Sequence, residues 1–158
     1  MTARPESEWV PSPNFNARPG PVTAIVIHAT ETSGIDSPRA HLCDPASKAS
    51  AHYLIGKTGI ILHLVHESER AWHAGVSSWD GKDDVNDFSV GIELVNENDG
   101  VAEYSQDQLT AAAALCRAMM TDYGVNTENV IGHADIAPGR KTDPGAMFPW
   151  GSFRAMLA

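Results

Sequence analysis

Residues 22–28, VTAIVIH, form a continuous β-branched apolar run that ends on a histidine. That is the pattern of a short strand covered on both faces, with His28 at its carboxyl end. A second run, FSVGIELV (88–95), holds Glu93 among apolar neighbours. Burying a lone carboxylate is costly, so Glu93 needs a reason for its place. Between these runs, SAHYLIGKTGIILHLV (50–65) reads as a hairpin about Gly56-Lys57-Thr58-Gly59, with His52 in one strand and His63 in the other. NVIGH (129–133) predicts a short strand that delivers His133. Helical spacing is clearest after Ser105, where Leu109, Ala112, Ala113, Cys116, Met119, Met120 and Tyr123 share one face. Ser105 and Gln108 fit an S-x-x-Q capping box, and Gly124 supplies the stop. Ser37 as N-cap and Pro38 at the first helical position predict a shorter helix, stopped by Pro45. The terminal FPWGSFRAMLA predicts a last helix with Pro149 early in it.

Strands interleaved with helices predict an α/β fold, a single mixed sheet flanked by α-helices. Pro5, Pro11, Pro13, Pro19 and Pro21 make residues 1–21 an extended arm, expected to wrap a domain formed by 22–158. At 158 residues and 42% apolar composition, one core is enough, and no internal repeat divides it.

The net charge of −9, from 20 acids against 11 bases, argues against a surface that neutralises phosphates, so neither nucleic acid nor an anionic membrane is an expected partner. No apolar run is long enough to span a bilayer, and MTARPESEWVPSPNF lacks the basic start and apolar segment of a secretory signal. The compartment stays open. Cys43 and Cys116 are too few for a disulfide framework and read as buried thiols, with a bond between them left open.

A catalytic zinc needs three protein ligands and one open position, and His28, His133 and Asp143 are of suitable type. The last two stand in GHADIAPGRKTDPG (132–145), a turn stiffened by proline and glycine. Spacing alone leaves two readings open. His28 and His133 serve equally well as hydrogen-bonded histidines at strand ends, and Asp143 as a turn residue before Pro144.

Taken in order, IVIHAT, SAHYLI, RAWHAG, NDFSVGIEL, IGHADIAPGRKTDPG and FPW resemble the zinc-dependent N-acetylmuramoyl-L-alanine amidases, in particular the AmpD and AmiD branch, which is related to phage amidase lysozymes and peptidoglycan-recognition proteins. The likeness covers roughly residues 9–155. It implies that fold, with one catalytic zinc on His28, His133 and Asp143, Glu93 and Lys141 as catalytic neighbours, and peptidoglycan or muropeptide as substrate. His73, Trp72 and Asn86 become candidate substrate-binding residues, although Trp72 also reads as packing and Asn86 as a loop-fixing amide. His52 is expected as a hydrogen-bonded core histidine, and His41, His63 and His66 as exposed or structural. Lys48 would either attract a peptide carboxylate or stay solvated. AmpD-type enzymes tend to be basic in the loop that here reads DGKDDV (80–85), so strict anhydro-sugar specificity is not expected. A monomer is expected. The competing reading is a peptidoglycan-binding module without catalysis.

Overall fold

The computed structural model describes residues 1–158. In chain order the elements are β1 (Glu8–Trp9), β2 (Phe15–Ala17), β3 (Ala24–Ala29), α1 (Asp36–Leu42), β4 (Tyr53–Ile55), β5 (Ile61–His63), β6 (Glu69–Ala71), β7 (Ser78–Trp79), β8 (Lys82–Asp83), β9 (Ser89–Leu94), α2 (Gln106–Tyr123), β10 (Val130–Gly132), α3 (His133–Ile136) and α4 (Trp150–Leu157). Six strands make one sheet in the order β1-β5-β4-β9-β3-β10. Strands β4, β9, β3 and β10 run parallel, while β5 returns antiparallel to β4 as the second arm of the expected hairpin. Two small antiparallel pairs, β2-β6 and β7-β8, lie outside it.

Side-chain alternation divides the central strands between two faces. Ile25, Ile27 and Ala29 of β3 and Val90, Ile92 and Leu94 of β9 share a core cluster with Leu109, Ala112, Ala113, Cys116 and Met119 of α2 and Phe153 and Leu157 of α4. Ala24 and Val26 turn the other way, into a smaller cluster with Ala74, Val85, Ile131 and Ile136. His28 continues the row of Ala24 and Val26, and Glu93 that of Ser89 and Gly91. The polar members of both apolar runs therefore point away from the helix-covered core.

Three local expectations need correction. Helix α1 is short, as expected, but starts at Asp36 with Ile35 as its cap, and no side chain caps it. The Arg39 N–H that a Ser37 cap would need is taken by the Ile35 carbonyl at 3.0 Å. Ser105 does cap α2, its Oγ accepting from Gln108 N at 3.1 Å, and Gly124 ends the helix at φ 68°. Gln108 does not reciprocate. Its amide instead donates to the buried carbonyls of Ile55 and Val95, both at 3.0 Å, which would otherwise cost more unpaired than one exposed N–H. His52 lies just before β4 and not within it, although its N–H still bonds Gly91 O at 3.0 Å.

Residues before β3 are held at several points. Strand β1 pairs in parallel with β5, and Arg4 reaches both Glu67, by two bonds of 2.7 Å, and Asp122 at 2.6 Å. Glu67 also accepts from the hydroxyls of Tyr53 (2.6 Å) and Tyr123 (2.5 Å), so one carboxylate joins the chain's start, the sheet and α2. Both cysteines are unpaired, Cys116 buried in the core and Cys43 only half-buried. No helix is long and apolar enough to cross a membrane.

Phe153 is fully buried and packs edge-on against Phe148 with ring centroids 5.0 Å apart. Truncating a buried phenylalanine of this kind costs about 3–5 kcal/mol. We expect Phe153→Ala to lower the urea midpoint accordingly while leaving metal affinity intact, because the core it vacates lies across the sheet from His28.

Candidate active site

Parallel pairing of β3 with β9 sets His28 opposite Glu93 near the carboxyl ends of both strands. His133 follows on the next strand over, as the first residue of α3 directly after β10. Asp143 comes from the loop beyond α3. That loop is pinned by a bond from Ala134 N to Asp143 O (2.9 Å), by the Tyr104 hydroxyl on Pro144 O (2.6 Å), and by Arg140, whose guanidinium spans Ala74 O and Val76 O at 2.7 Å each. The turns at Gly139 (φ 80°) and Gly145 (φ 83°) use left-handed backbone, and a Cβ on Gly145 would stand 2.0 Å from Asn98 Oδ1.

These elements bring His28, His133 and Asp143 together with their ligand atoms all within 4.8 Å of one another. All three are buried, at 1%, 6% and 3% exposure. The Nδ1 atoms of the two histidines approach to 2.9 Å, and the Asp143 oxygens lie 3.4 Å from His28 Nδ1 and 3.3 Å from His133 Nδ1. His133 Nε2 stands 3.0 Å from Ala74 O. A carbonyl only accepts, so the proton of that ring sits on Nε2 and a bare Nδ1 faces the cluster. Burial pushes His28 down to about 4 despite the neighbouring Asp143, so its imidazole is neutral near pH 7. Two imidazoles and a carboxylate converging in a buried corner are a donor set that fits a divalent metal ion.

Glu93 Oε1 lies 3.9 Å from His28 Nδ1, and Oε2 has no hydrogen-bond partner. Burial, reinforced by the charge of Asp143 and opposed by Lys141, pushes its carboxyl up to about 8. A cation in the cluster would draw it back toward neutrality, into the range useful for moving a proton at physiological pH. Lys141, exposed, lines the same cleft of about 370 Å³ with Glu93, His133, Asp143, Trp72 and His73.

A profile of the N-acetylmuramoyl-L-alanine amidase family matches residues 18–146. The chain belongs to this family. It is 40% identical to the 1,6-anhydro-N-acetylmuramyl-L-alanine amidase AmpD of Escherichia coli K12, over 94% of its own length and 91% of that protein. A crystal structure of AmpD superposes with a TM-score of 0.88 at 37% identity, covering 97% of this chain and 95% of the other. The E. coli amidase AmiD, in complex with anhydro-N-acetylmuramic acid-L-Ala-D-γ-Glu-L-Lys, superposes with a TM-score of 0.80 at 38% identity, covering 85% of this chain and 57% of the other. The expected fold class holds: a mixed sheet flanked by helices.

Within this amidase the structure gathers five expected residues, His28, His133, Asp143, Glu93 and Lys141, at one place. Trp72 also faces the cleft, half-buried, with its indole N–H on Asn16 Oδ1 at 2.7 Å. Asn86 does not reach the cleft, which corrects its place among candidate substrate contacts. Its Oδ1 is spent on the N–H groups of His73 (3.0 Å) and Ala74 (2.8 Å), the loop-fixing alternative. His73 does line the cleft, but both its ring nitrogens are engaged inside the protein, with His28 at 2.9 Å and Ser89 at 3.1 Å, which leaves neither free for a substrate hydrogen bond. His52 is the expected core histidine, fully buried between Gly91 N (3.0 Å) and Glu69 O (2.9 Å). Lys48 lies outside the cleft lining. Sequence reasoning missed His41 and Glu31, which line the cleft, and the anchoring role of Arg140. The one usable signal was position, since Glu31 and the helix of His41 come next in the chain after the strand that carries His28.

The raised Glu93 carboxyl has a measurable consequence in the metal-free protein. A carboxyl whose pKa moves from 4.5 to about 8 on folding adds stability that is complete below pH 4.5 and is lost as pH rises through 8. Metal-free wild type should therefore lose ground to Glu93→Gln across that window, by up to about 1.4 kcal/mol per pH unit. Urea titrations at a series of pH values check this; parallel curves would show that Glu93 is not held neutral.

Proposed function

We propose that the chain hydrolyses the amide between the lactyl group of N-acetylmuramic acid and the L-alanine of the stem peptide, with one zinc held by His28, His133 and Asp143. The observation that carries this reading is the convergence of two imidazole nitrogens and a carboxylate beside Glu93, which stands in register with His28. When bound, zinc lowers the pKa of water to about 7 and polarises a carbonyl. Glu93 then accepts the proton of the attacking water and returns it to the departing alanine nitrogen, a service worth about 100- to 10,000-fold in rate. The Lys141 ammonium faces the oxygen that gains charge as the carbonyl becomes tetrahedral; loss of such a group costs about 2.7–4 kcal/mol of barrier. Trp72 and the open side of the cleft receive sugar or peptide.

The substrate is peptidoglycan or a muropeptide released from it, and the chain acts as a monomer. The co-occurrence of all three ligands with a proton carrier favours catalysis over binding alone. Residues 1–21 serve as an arm on the catalytic domain formed by 22–158.

Digestion of purified sacculi and of soluble anhydro-muropeptide by the zinc-loaded protein, with and without chelator, tests the reading by mass spectrometry. Peptides with a free N-terminal L-alanine should appear only with zinc, and their relative yields distinguish wall cleavage from recycling. Binding without cleavage of either substrate would replace the enzyme by a recognition module. Among variants, Asp143→Ala should weaken zinc binding. Glu93→Ala should keep zinc and lose about 100-fold or more in turnover, and His63→Ala should do neither. Zinc content and turnover, measured side by side, separate the three.

A further inference from the structure

From His28 through His73, at the edge of the cleft, and on into the sheet, the structure holds a chain of polar atoms that the reaction itself does not use. His28 Nε2 meets His73 Nδ1 at 2.9 Å, His73 Nε2 meets Ser89 Oγ at 3.1 Å, and Ser89 Oγ meets the Val85 carbonyl at 2.7 Å. The last contact fixes the direction of all the others. A carbonyl cannot donate, so the single hydroxyl proton of Ser89 points at Val85. His73 Nε2 must then carry its own proton to donate to Oγ. A neutral imidazole has only one, which leaves His73 Nδ1 bare, and it accepts the Nε2 proton of His28. The consequence arrives at the cluster: His28 Nδ1 has no proton and offers a lone pair.

The opposite order would also satisfy every ring. With the Ser89 hydroxyl turned to His73, the proton of His28 would lie on Nδ1, directed at His133 and Asp143, and would close the site to a cation. The Val85 carbonyl, which can only accept, selects the first order. His133 is fixed in the same sense by Ala74 O, so the 2.9 Å approach of the two Nδ1 atoms sets lone pair against lone pair, an arrangement that a cation between them relieves.

The ring of His73 is held for this purpose from several sides. It lies against β9 where Gly91 has no side chain, and a Cβ there would come within 2.4 Å of its Cγ. Asn86 fixes the backbone on both sides of the 73–74 peptide. One short stretch thus serves both histidine ligands, by the His73 ring for His28 and by the Ala74 carbonyl for His133.

We propose that His73 is a positioning residue which, with Ser89 and the Val85 carbonyl, keeps His28 in the Nε2–H tautomer and so makes Nδ1 the metal-binding atom. This rests on the reading that the cluster holds zinc. Partners of this kind are worth about 10- to 100-fold in metal affinity.

The test combines two measurements. Long-range ¹H–¹⁵N spectra of the metal-free wild type report the tautomer of His28 directly. Competition with a chromophoric chelator gives the zinc dissociation constants of wild type, Ser89→Ala, His73→Leu and His73→Asn. We expect His28 protonated at Nε2 in the wild type, affinity weakened about 10-fold by Ser89→Ala and up to about 100-fold by His73→Leu. His73→Asn should largely restore it, because an amide oxygen stands where Nδ1 did and accepts the same proton, a recovery that mere filling of space would not give. A metal-free wild type with His28 protonated at Nδ1, or a His73→Leu protein that binds zinc as tightly as wild type, would overturn the proposal. If His73→Leu fails to fold, Ser89→Ala, which removes one oxygen, carries the affinity test. Failure of the wild type to bind zinc at all would defeat the amidase reading, and the tautomer spectrum would still decide this one.

Discussion

In the parallel pair β3–β9, His28 stands directly opposite Glu93, and the twofold alternation of strand side chains puts both on the face turned from α2. Everything else about the site depends on that register. Were β9 to slip by one residue, Glu93 would enter the apolar core and Leu94 or Ile92 would stand in its place beside His28. Six apolar residues of β3 and β9 on the helix-covered face resist the slip, Ile25, Ile27, Ala29, Val90, Ile92 and Leu94, all of them buried. The packing of the core on one side thereby determines the chemistry on the other.

The same row on β9 has a graded use along its length. Glu93 at the open end titrates near the cluster, Gly91 in the middle yields its space to the His73 ring, and Ser89 at the closed end receives that ring's proton. The cleft-facing end keeps 16% exposure of the Glu93 side chain, while Ser89 is fully buried. Only the Glu93 end of the row is thus open to the cleft. His52, beyond His73, extends the stack into the sheet with Nδ1 on Gly91 N and Nε2 on Glu69 O. Burial pushes it down to about 3, so it stays neutral and lends no charge to the site.

Asp143 reaches the cluster by other means, because no strand carries it. Its loop is closed by backbone bonds to α3 and by Arg140, whose two contacts with the 74–76 segment also bring up the carbonyl that orients His133. A conspicuous basic pair in the sequence therefore divides into two different jobs: Arg140 turns inward to brace the loop, and Lys141 stays exposed at the cleft.

The sequence by itself determined a great deal. Unbroken apolar runs ending near His28 and Glu93, the long amphipathic helix stopped by Gly124, and the stiff GHADIAPGRKTDPG turn are local patterns, set by propensity and burial over a few residues. The motifs in their order carried the amidase family and the five residues at its centre. What only the tertiary structure decided is partnership across the chain. Gln108 left its cap for two sheet carbonyls, the Arg39 N–H took Ile35 in place of Ser37, and Asn86 and His73 turned inward from the substrate. Residues such as Ser89 and Ala74 acquired their meaning only when folding set them beside a histidine. Hydrogen-bond direction depends on which acceptors a donor finds within about 3 Å, and in a buried site those acceptors come from distant parts of the chain, which no local pattern encodes.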